Sequence, residues 1–259
     1  MFKNKANTDQ KRSPLNSNRL HYAGESLDKE ISGLVYDYYH YHYLTIALFI
    51  AALAFLECFY WYFNVPRQPI TALIISAATI PYCYMKMKKI ENLIQNAKLG
   101  RDGEREVGQV LEELRADGYA IFHDIVGNGF NIDHVVVTPN GIFVVETKTY
   151  SKPLGGIVAF DGHSVALTGQ KPNEKIVSQA ISNAGWVRKE LEKSTGKYFP
   201  VTPVLVFPGW FVEKPYHNNP IWVTNPKWLQ WEIPKKPQTL SAEDVDKVTF
   251  CLSLLERAG

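Results

Sequence analysis

The chain is poor in the residues that mark several common classes of protein. It has three cysteines in 259 residues, Cys58, Cys83 and Cys251, too few and too scattered for a disulfide framework or a thiolate zinc centre. It has no excess of one charge: 28 Lys and Arg face 26 Asp and Glu, and the net +2 gives no whole-chain signal for nucleic acid. It has no low-complexity tract and no internal repeat, and 46% of its residues are hydrophobic, which excludes a disordered or collagen-like chain. A mean hydropathy of −0.18 would exclude a multi-span membrane protein if apolar residues were evenly spread. They are not.

From Tyr43 to Phe63 the chain reads YLTIALFIAALAFLECFYWYF, with Glu57 as its one charge. A second run, PITALIISAATIPYCY from Pro69 to Tyr84, carries none and extends over 65–85 with Arg67 near its start. A helix needs about 20 apolar residues to cross a bilayer core of roughly 30 Å. Tyrosines 38, 39, 41 and 43, then Tyr60, Trp61 and Tyr62, then Tyr82 and Tyr84, stand where aromatic belts form. The expectation is a two-helix transmembrane hairpin over 43–85, with spans at about 43–63 and 65–85. About 40 polar residues precede the first run, which does not suit a signal peptide. Lys3, Lys5, Lys11, Arg12, Arg19 and Lys29 lie before the hairpin and Lys86, Lys88 and Lys89 after it, against Arg67 alone in the turn. By the positive-inside rule both ends are expected in the cytoplasm. Glu57 is placed to pair within the hairpin, to face a second protomer, or to sit near the interface. Residues 1–42 read as a polar segment with a mobile start, and Ser26–Tyr41 as a short helix along the membrane surface.

Residues 86–99 read as a linker helix, and 100–259 are long enough for one domain with its own core. A helix is expected at 103–117, its stripe running Val107, Leu111 and Leu114 and its stop at Gly118. Short β-rich runs follow at 119–125, 131–137, 141–148 and 155–160, then a helix at about 173–193. Strands are expected at 201–207 and 220–224. A last helix at 242–257 opens with Ser241 as N-cap, Asp244 at N3 and a Leu240–Val245 staple. The order α-β-β-β-α-β predicts an α/β domain with a mixed sheet flanked by helices.

The most informative stretch is NIDHVVVTPNGIFVVETK, Asn131–Lys148. Pro139-Asn140 marks a turn between two β-branched runs, and either a two-residue or a four-residue loop sets Thr138 against Gly141. Counted back along both strands, that register sets Asp133 opposite Glu146, with Lys148 two residues on and on the same face. Opposed Cβ atoms lie about 4.5–5.5 Å apart, where like charges repel. Such a cluster in a mostly apolar hairpin calls for compensation, and a divalent cation supplies it. Carboxylate oxygens without cysteine favour Mg²⁺ or Mn²⁺ over zinc. A lysine beside the acids suits metal-assisted phosphodiester hydrolysis. The bland alternative is a structural ion pair between Lys148 and Glu146.

Asp133 followed by Glu146-Thr147-Lys148 resembles the D-(E/D)-x-K core of the PD-(D/E)xK restriction-endonuclease-like superfamily. More narrowly, Gly103-Glu104 opening a helix, Asn131-Ile132-Asp133-His134, the run Gly141–Lys148 and Gln179 on the following helix resemble the NERD (nuclease-related) domain over about 98–210. The resemblance implies a restriction-endonuclease-like fold, a divalent metal, and nuclease chemistry on DNA. It implies Asp133 and Glu146 as metal ligands with the Thr147 carbonyl as a third, and Lys148 as the residue that positions or activates water. Glu104 matches the helix-borne acid and Gln179 the polar residue of the second helix. Ile132 departs from the signature, which has proline there.

Read locally, Glu104 points along an inward stripe but also suits a first-turn acid, and Gln179 flanks an apolar face. His134 has the opposite parity to Asp133 and reads as a packed histidine. Lysines 152, 171, 175, 189 and 193 and Arg188 could contact phosphate, though such charges are usually solvated. Gly127-Asn128-Gly129 is too short for a phosphate loop. Tryptophans in 208–237 read as core packing, with base stacking as the rival use. The expectation is thus a multi-pass protein of a bacterial inner membrane. Its cytoplasmic Mg²⁺- or Mn²⁺-dependent nuclease domain would act on DNA or another nucleic acid, and its hairpin could support a homo-oligomer. The rivals are a catalytically silent nucleic-acid- or protein-binding module and a membrane-tethered interaction protein.

Overall fold

The computed structural model describes residues 21–66, 69–213 and 221–258. The polar start expected to be mobile, the basic residues within it and Arg67 of the turn lie outside the described residues.

Two long helices lead the chain. Helix α1 (Glu25–Phe63) takes in both the Ser26–Tyr41 stretch and the first apolar run, so no separate surface helix forms. It ends at Asn64, whose left-handed φ of 54° closes the helix. Helix α2 (Pro69–Ala116) runs through the second apolar run, the expected linker helix and the expected 103–117 helix as one element of 48 residues. It stops before Gly118, at φ 88°. The two helices lie against each other. Among the described residues one helix, α1, is long and apolar enough to cross a membrane, and its most apolar stretch is not buried in the protein. Two such helices were expected. The second run is diluted by Ser76, Thr79 and Pro81 and passes without a break into Lys86, Lys88 and Lys89.

Beyond the helical pair lies a mixed α/β domain. Strands β1 (Ala120–Val126), β2 (Asn131–Thr138) and β3 (Gly141–Thr147) form an antiparallel meander. After β4 (Ile157–Phe160), β5 (Val165–Leu167) and helix α3 (Lys175–Thr195), strand β6 (Val201–Val206) returns parallel to β3. Strand β7 (Phe211–Val212) joins β4 and β5 in a small second sheet, and β8 (Trp222–Thr224) adds to β6, giving the main sheet the order β1-β2-β3-β6-β8. Helices α4 (Pro226–Glu232) and α5 (Ala242–Ala258) complete the chain. Strands β5 and β7 and helix α4 are too short to carry a period of their own in the sequence. The expected cap of α5 is present: Ser241 Oγ accepts the Asp244 N–H at 3.1 Å.

Alternation along the hairpin sorts its side chains onto two faces. Val135, Val137, Ile142 and Val144 meet Ala184, Val187 and Leu191 of α3 and Val248 and Leu252 of α5. Val136, Phe143 and Val145 meet Val107, Leu111 and Leu114 of α2 and Leu229 of α4. The central strand β3 is buried along its whole length. What it carries at its C-terminal end is therefore held rigidly.

Candidate active site

The β2–β3 ladder has the register read from the turn, from Thr138–Gly141 to His134–Val145. It stops one pair short of Asp133 and Glu146. There the Thr147 N–H is taken by the Asp133 Oδ2 at 2.6 Å instead of by a main-chain carbonyl. The acid thus replaces a ladder bond, and the two carboxylates end up side by side where the strands part.

Glu146 is 3% exposed and fully engaged. Its Oε1 accepts from Lys148 Nζ at 2.7 Å and from Gln179 Nε2 at 2.8 Å, and its Oε2 accepts from Asn183 Nδ2 at 2.7 Å. Gln179 and Asn183 lie one turn apart on α3, so one helix face supplies both amides. Glu104 enters from α2. Its position depends on Gly103, where an added Cβ would lie 1.8 Å from Thr149 Oγ1 just past the end of β3. Only a residue without a side chain lets α2 come this close to the strand.

The electrostatics follow from that crowding. Burial, then Glu146 and then Glu104 push the Asp133 carboxyl well above its ordinary range. Burial, reinforced by Asp124 and Glu146, pushes Glu104 up to about 8. Burial opposes the Lys148 charge, yet the Glu146 carboxylate beside it holds the ammonium above its usual value. A cleft of about 540 Å³ opens over these groups, lined by Glu30, Glu104, Asp133 and Glu146 with Lys148 as its one cation among the described residues. Carboxyl groups outnumber cations among the described lining residues, and Glu104 and Asp133 answer the crowding by holding their protons more tightly.

Of the expected residues, the structure brings together Asp133, Glu146, Thr147, Lys148, Gln179 and Glu104 around this cleft. His134 is turned to the other face as its parity implied, fully buried with its Nδ1 2.8 Å from Nδ1 of His123. Among the four tryptophans of 208–237, Trp210 and Trp222 are buried, while Trp228 and Trp231 are exposed. Residues 214–220 of that stretch lie outside the described residues.

Two residues escaped the sequence reading. Asn183 was legible as four residues beyond Gln179, on the same helical face. Asp124 was legible from the second register: His123 pairs with His134 and Ile125 with Ile132, which sets Asp124 opposite Asp133. No ladder pair forms there. Asp124 takes a left-handed φ of 51°, is 4% exposed, and its carboxylate accepts the Ser26 N–H of α1. Aspartate tolerates that conformation better than most residues.

Residues 99–208 match the nuclease-related domain, NERD. That stretch runs from the second half of α2 through β6 and contains every acid and amide described above except Glu30. An uncharacterized protein of Bacillus anthracis is 38% identical over 56 residues, covering 20% of this chain and 26% of that relative. The chain thus spans about a quarter of the relative's length. No solved structure matches.

The donor set fits a hard divalent cation: carboxylate oxygens in surplus, a main-chain carbonyl at the strand end, and a cleft that admits water. Among the described residues no three His, Cys, Asp or Glu side chains converge as a ready cation cage. Mg²⁺ is ordinarily held by one or two carboxylates with water and substrate phosphate making up the rest, so two carboxylates suffice.

Proposed function

We propose that the chain is a membrane-anchored, divalent-metal-dependent nuclease of the restriction-endonuclease-like kind that hydrolyses DNA phosphodiester bonds. The observation that carries this reading is the crowding of acids around Asp133 and Glu146, with Lys148 as the cleft's one cation among the described residues, inside the NERD match. Carboxylates crowded in that way are unfavourable unless protons or a cation balance them, and a divalent cation held there would in turn attract a phosphate.

Asp133 and Glu146, with the Thr147 carbonyl, would hold Mg²⁺ or Mn²⁺, which when bound supplies charge stabilisation to the phosphate under attack. Lys148, kept protonated, serves as a donor that orients water or a phosphate oxygen rather than as a base. Glu104 at about 8 is poised to exchange a proton near neutral pH. Gln179 and Asn183 hold Glu146 in one orientation.

Anchoring is proposed through α1, with the domain on the cytoplasmic side of a bacterial inner membrane. Residues 69–85 of α2 would return through the same bilayer. Thr79, Tyr82 and Cys83 of α2 share a groove with Leu48, Phe49 and Ala52 of α1, which supports that pairing.

The test is calorimetric titration of Mn²⁺ into the full chain in detergent micelles, wild type beside Asp133→Ala. Saturable binding that the variant loses supports the reading, and cleavage assays on DNA then follow. No binding by either protein, even with an oligonucleotide present to supply phosphate oxygens, favours a silent nucleic-acid- or protein-binding module. One feature favours that second reading: Glu146 already accepts three hydrogen bonds.

A further inference from the structure

The match to the nuclease-related domain begins at residue 99, yet one side of the acidic cleft is built by residues far upstream of it. Ser26, Leu27 and Glu30, all in the first two turns of α1, line the cleft beside Glu104 and Asp133. Gly127, Gly129 and Phe130 of the loop after β1 and Gln179 of α3 line it as well.

The turn is held by specific contacts. Asp124 accepts the Ser26 N–H. Gly24, the N-cap residue, supplies no side-chain cap of its own, so a carboxylate 98 residues away satisfies one of the helix's unpaired donors. Asp28 pairs with Arg105 at 2.6 Å and Arg101 at 3.3 Å, both on α2, and also accepts from the Tyr22 hydroxyl at 3.0 Å. Leu27 fits against Gly100, where an added Cβ would lie 3.3 Å from its Cδ1. Asp124 adopts an unusual backbone conformation in the middle of β1 to reach the turn. Such strain persists only where its surroundings enforce it, and it gathers at working sites.

We propose that the first turns of α1 form a fixed wall of the catalytic cleft that selects for single-stranded nucleic acid over duplex. The inference rests on the nuclease reading above and adds the form of the substrate. With that wall in place, about 540 Å³ is available over the acids, a volume in the range that holds one small ligand. Glu146, at the floor, is 3% exposed, so a phosphate must descend between the walls to reach it. A single strand can bend its backbone into such a slot. A rigid duplex would have to carry its second strand past the first turns of α1, which narrow the approach on that side. Glu30, exposed on the wall, repels the phosphates of a second strand passing on that side.

The experiment uses the full chain in detergent micelles, with Ca²⁺ present to neutralise the acids. A short fluorescein-labelled DNA strand, alone or annealed to its complement, is titrated and followed by anisotropy. Two variants loosen the wall without touching the acids of the floor. Ser26→Pro deletes the N–H that Asp124 accepts, at a first-turn position where proline is tolerated, and Asp28→Ala removes the arginine pairs. Hydrogen exchange over 24–31 reports whether the turn is released.

The wild type is expected to bind the single strand about ten-fold or more tightly than the duplex, a difference of about 1.4 kcal/mol. Release of the turn should bring the ratio to within about two-fold, chiefly by a gain in duplex binding. Equal binding of both forms by the wild type overturns the wall, as does an unchanged ratio in a variant whose turn exchanges freely. Variants in which the turn stays protected overturn the assignment of these contacts as what holds it. In each of those cases the nuclease reading stands. Binding of neither form by the wild type overturns the nuclease reading, and the wall with it.

Discussion

At the scale of single residues, the site is defined by charge that its surroundings do not balance. Glu104 and Asp133 both have carboxyls raised above their unfolded values, Glu104 to about 8. A raised carboxyl stabilises the folded state where it is protonated. That contribution is fully present below the unfolded value and is lost as pH rises through the folded one. With divalent ions chelated, thermal unfolding should therefore come at lower temperature at pH 8.5 than at pH 7. Glu104→Gln should flatten that dependence, and Mn²⁺ should reverse it; calorimetric melts of the three samples check this. Staying above pH 7 keeps out His123 and His134, both held by burial below the usual histidine value. Asn183 tests the opposite kind of contact. Asn183→Ala leaves one oxygen of the buried Glu146 without its donor and should cost about 1.5–3 kcal/mol in chemical denaturation.

At the scale of elements, three pieces meet at one point: the parting end of β2–β3, the first face of α3, and the stretch of α2 around Glu104. The contact between α2 and the segment just past β3 is close, because Gly103 leaves no room for a methyl group beside Thr149. Gly103→Ala should force the helix off the strand at a cost of about 1–3 kcal/mol, typical of overpacking. It should also weaken Mn²⁺ binding by moving Glu104, even though it removes no charge. A melt and a titration of the same sample check both. Helix α3 is held by Ala184, Val187 and Leu191 below its amides, so Gln179 and Asn183 keep their positions without support from a loop.

At the scale of the whole molecule, the proposed wall and the proposed anchor belong to one element of 39 residues, α1. Its first turns flank the acids, and its apolar run from Tyr43 to Phe63 stands free of the domain. With about 1.5 Å of rise per residue, the apolar run begins roughly 20 Å from Glu30. A charge at the centre of that run should disrupt insertion. Leu53→Arg should cost about 2.5–3.5 kcal/mol of insertion free energy and move much of the protein from the membrane pellet to the soluble or aggregated fraction. Fractionation with and without detergent checks this. Because α1 is continuous, a loss of insertion should also loosen the wall beside the acids.

Much of this was legible in the chain itself, because it depends on short-range periodicity and on turn chemistry. Alternation in 131–148 with Pro139-Asn140 between the runs determined the hairpin, its register and the common face of Asp133, Glu146 and Lys148. The 3.6-residue stripes determined α3 and α5, and the Ser241 cap was readable outright. What the sequence could not decide were the meetings of distant segments. The second apolar run passes into the next helix, with no glycine or proline between 82 and 99, and α2 then continues through Gly100 and Gly103, which pack against Leu27 of α1 and against Thr149. Asp124 was unreadable as a clip because its partner, Ser26, lies 98 residues away. The surplus of charge in the cleft was decided by tertiary structure as well. It arises only when α2, β2 and β3 are packed together, where desolvation multiplies a repulsion that water would screen along the open chain.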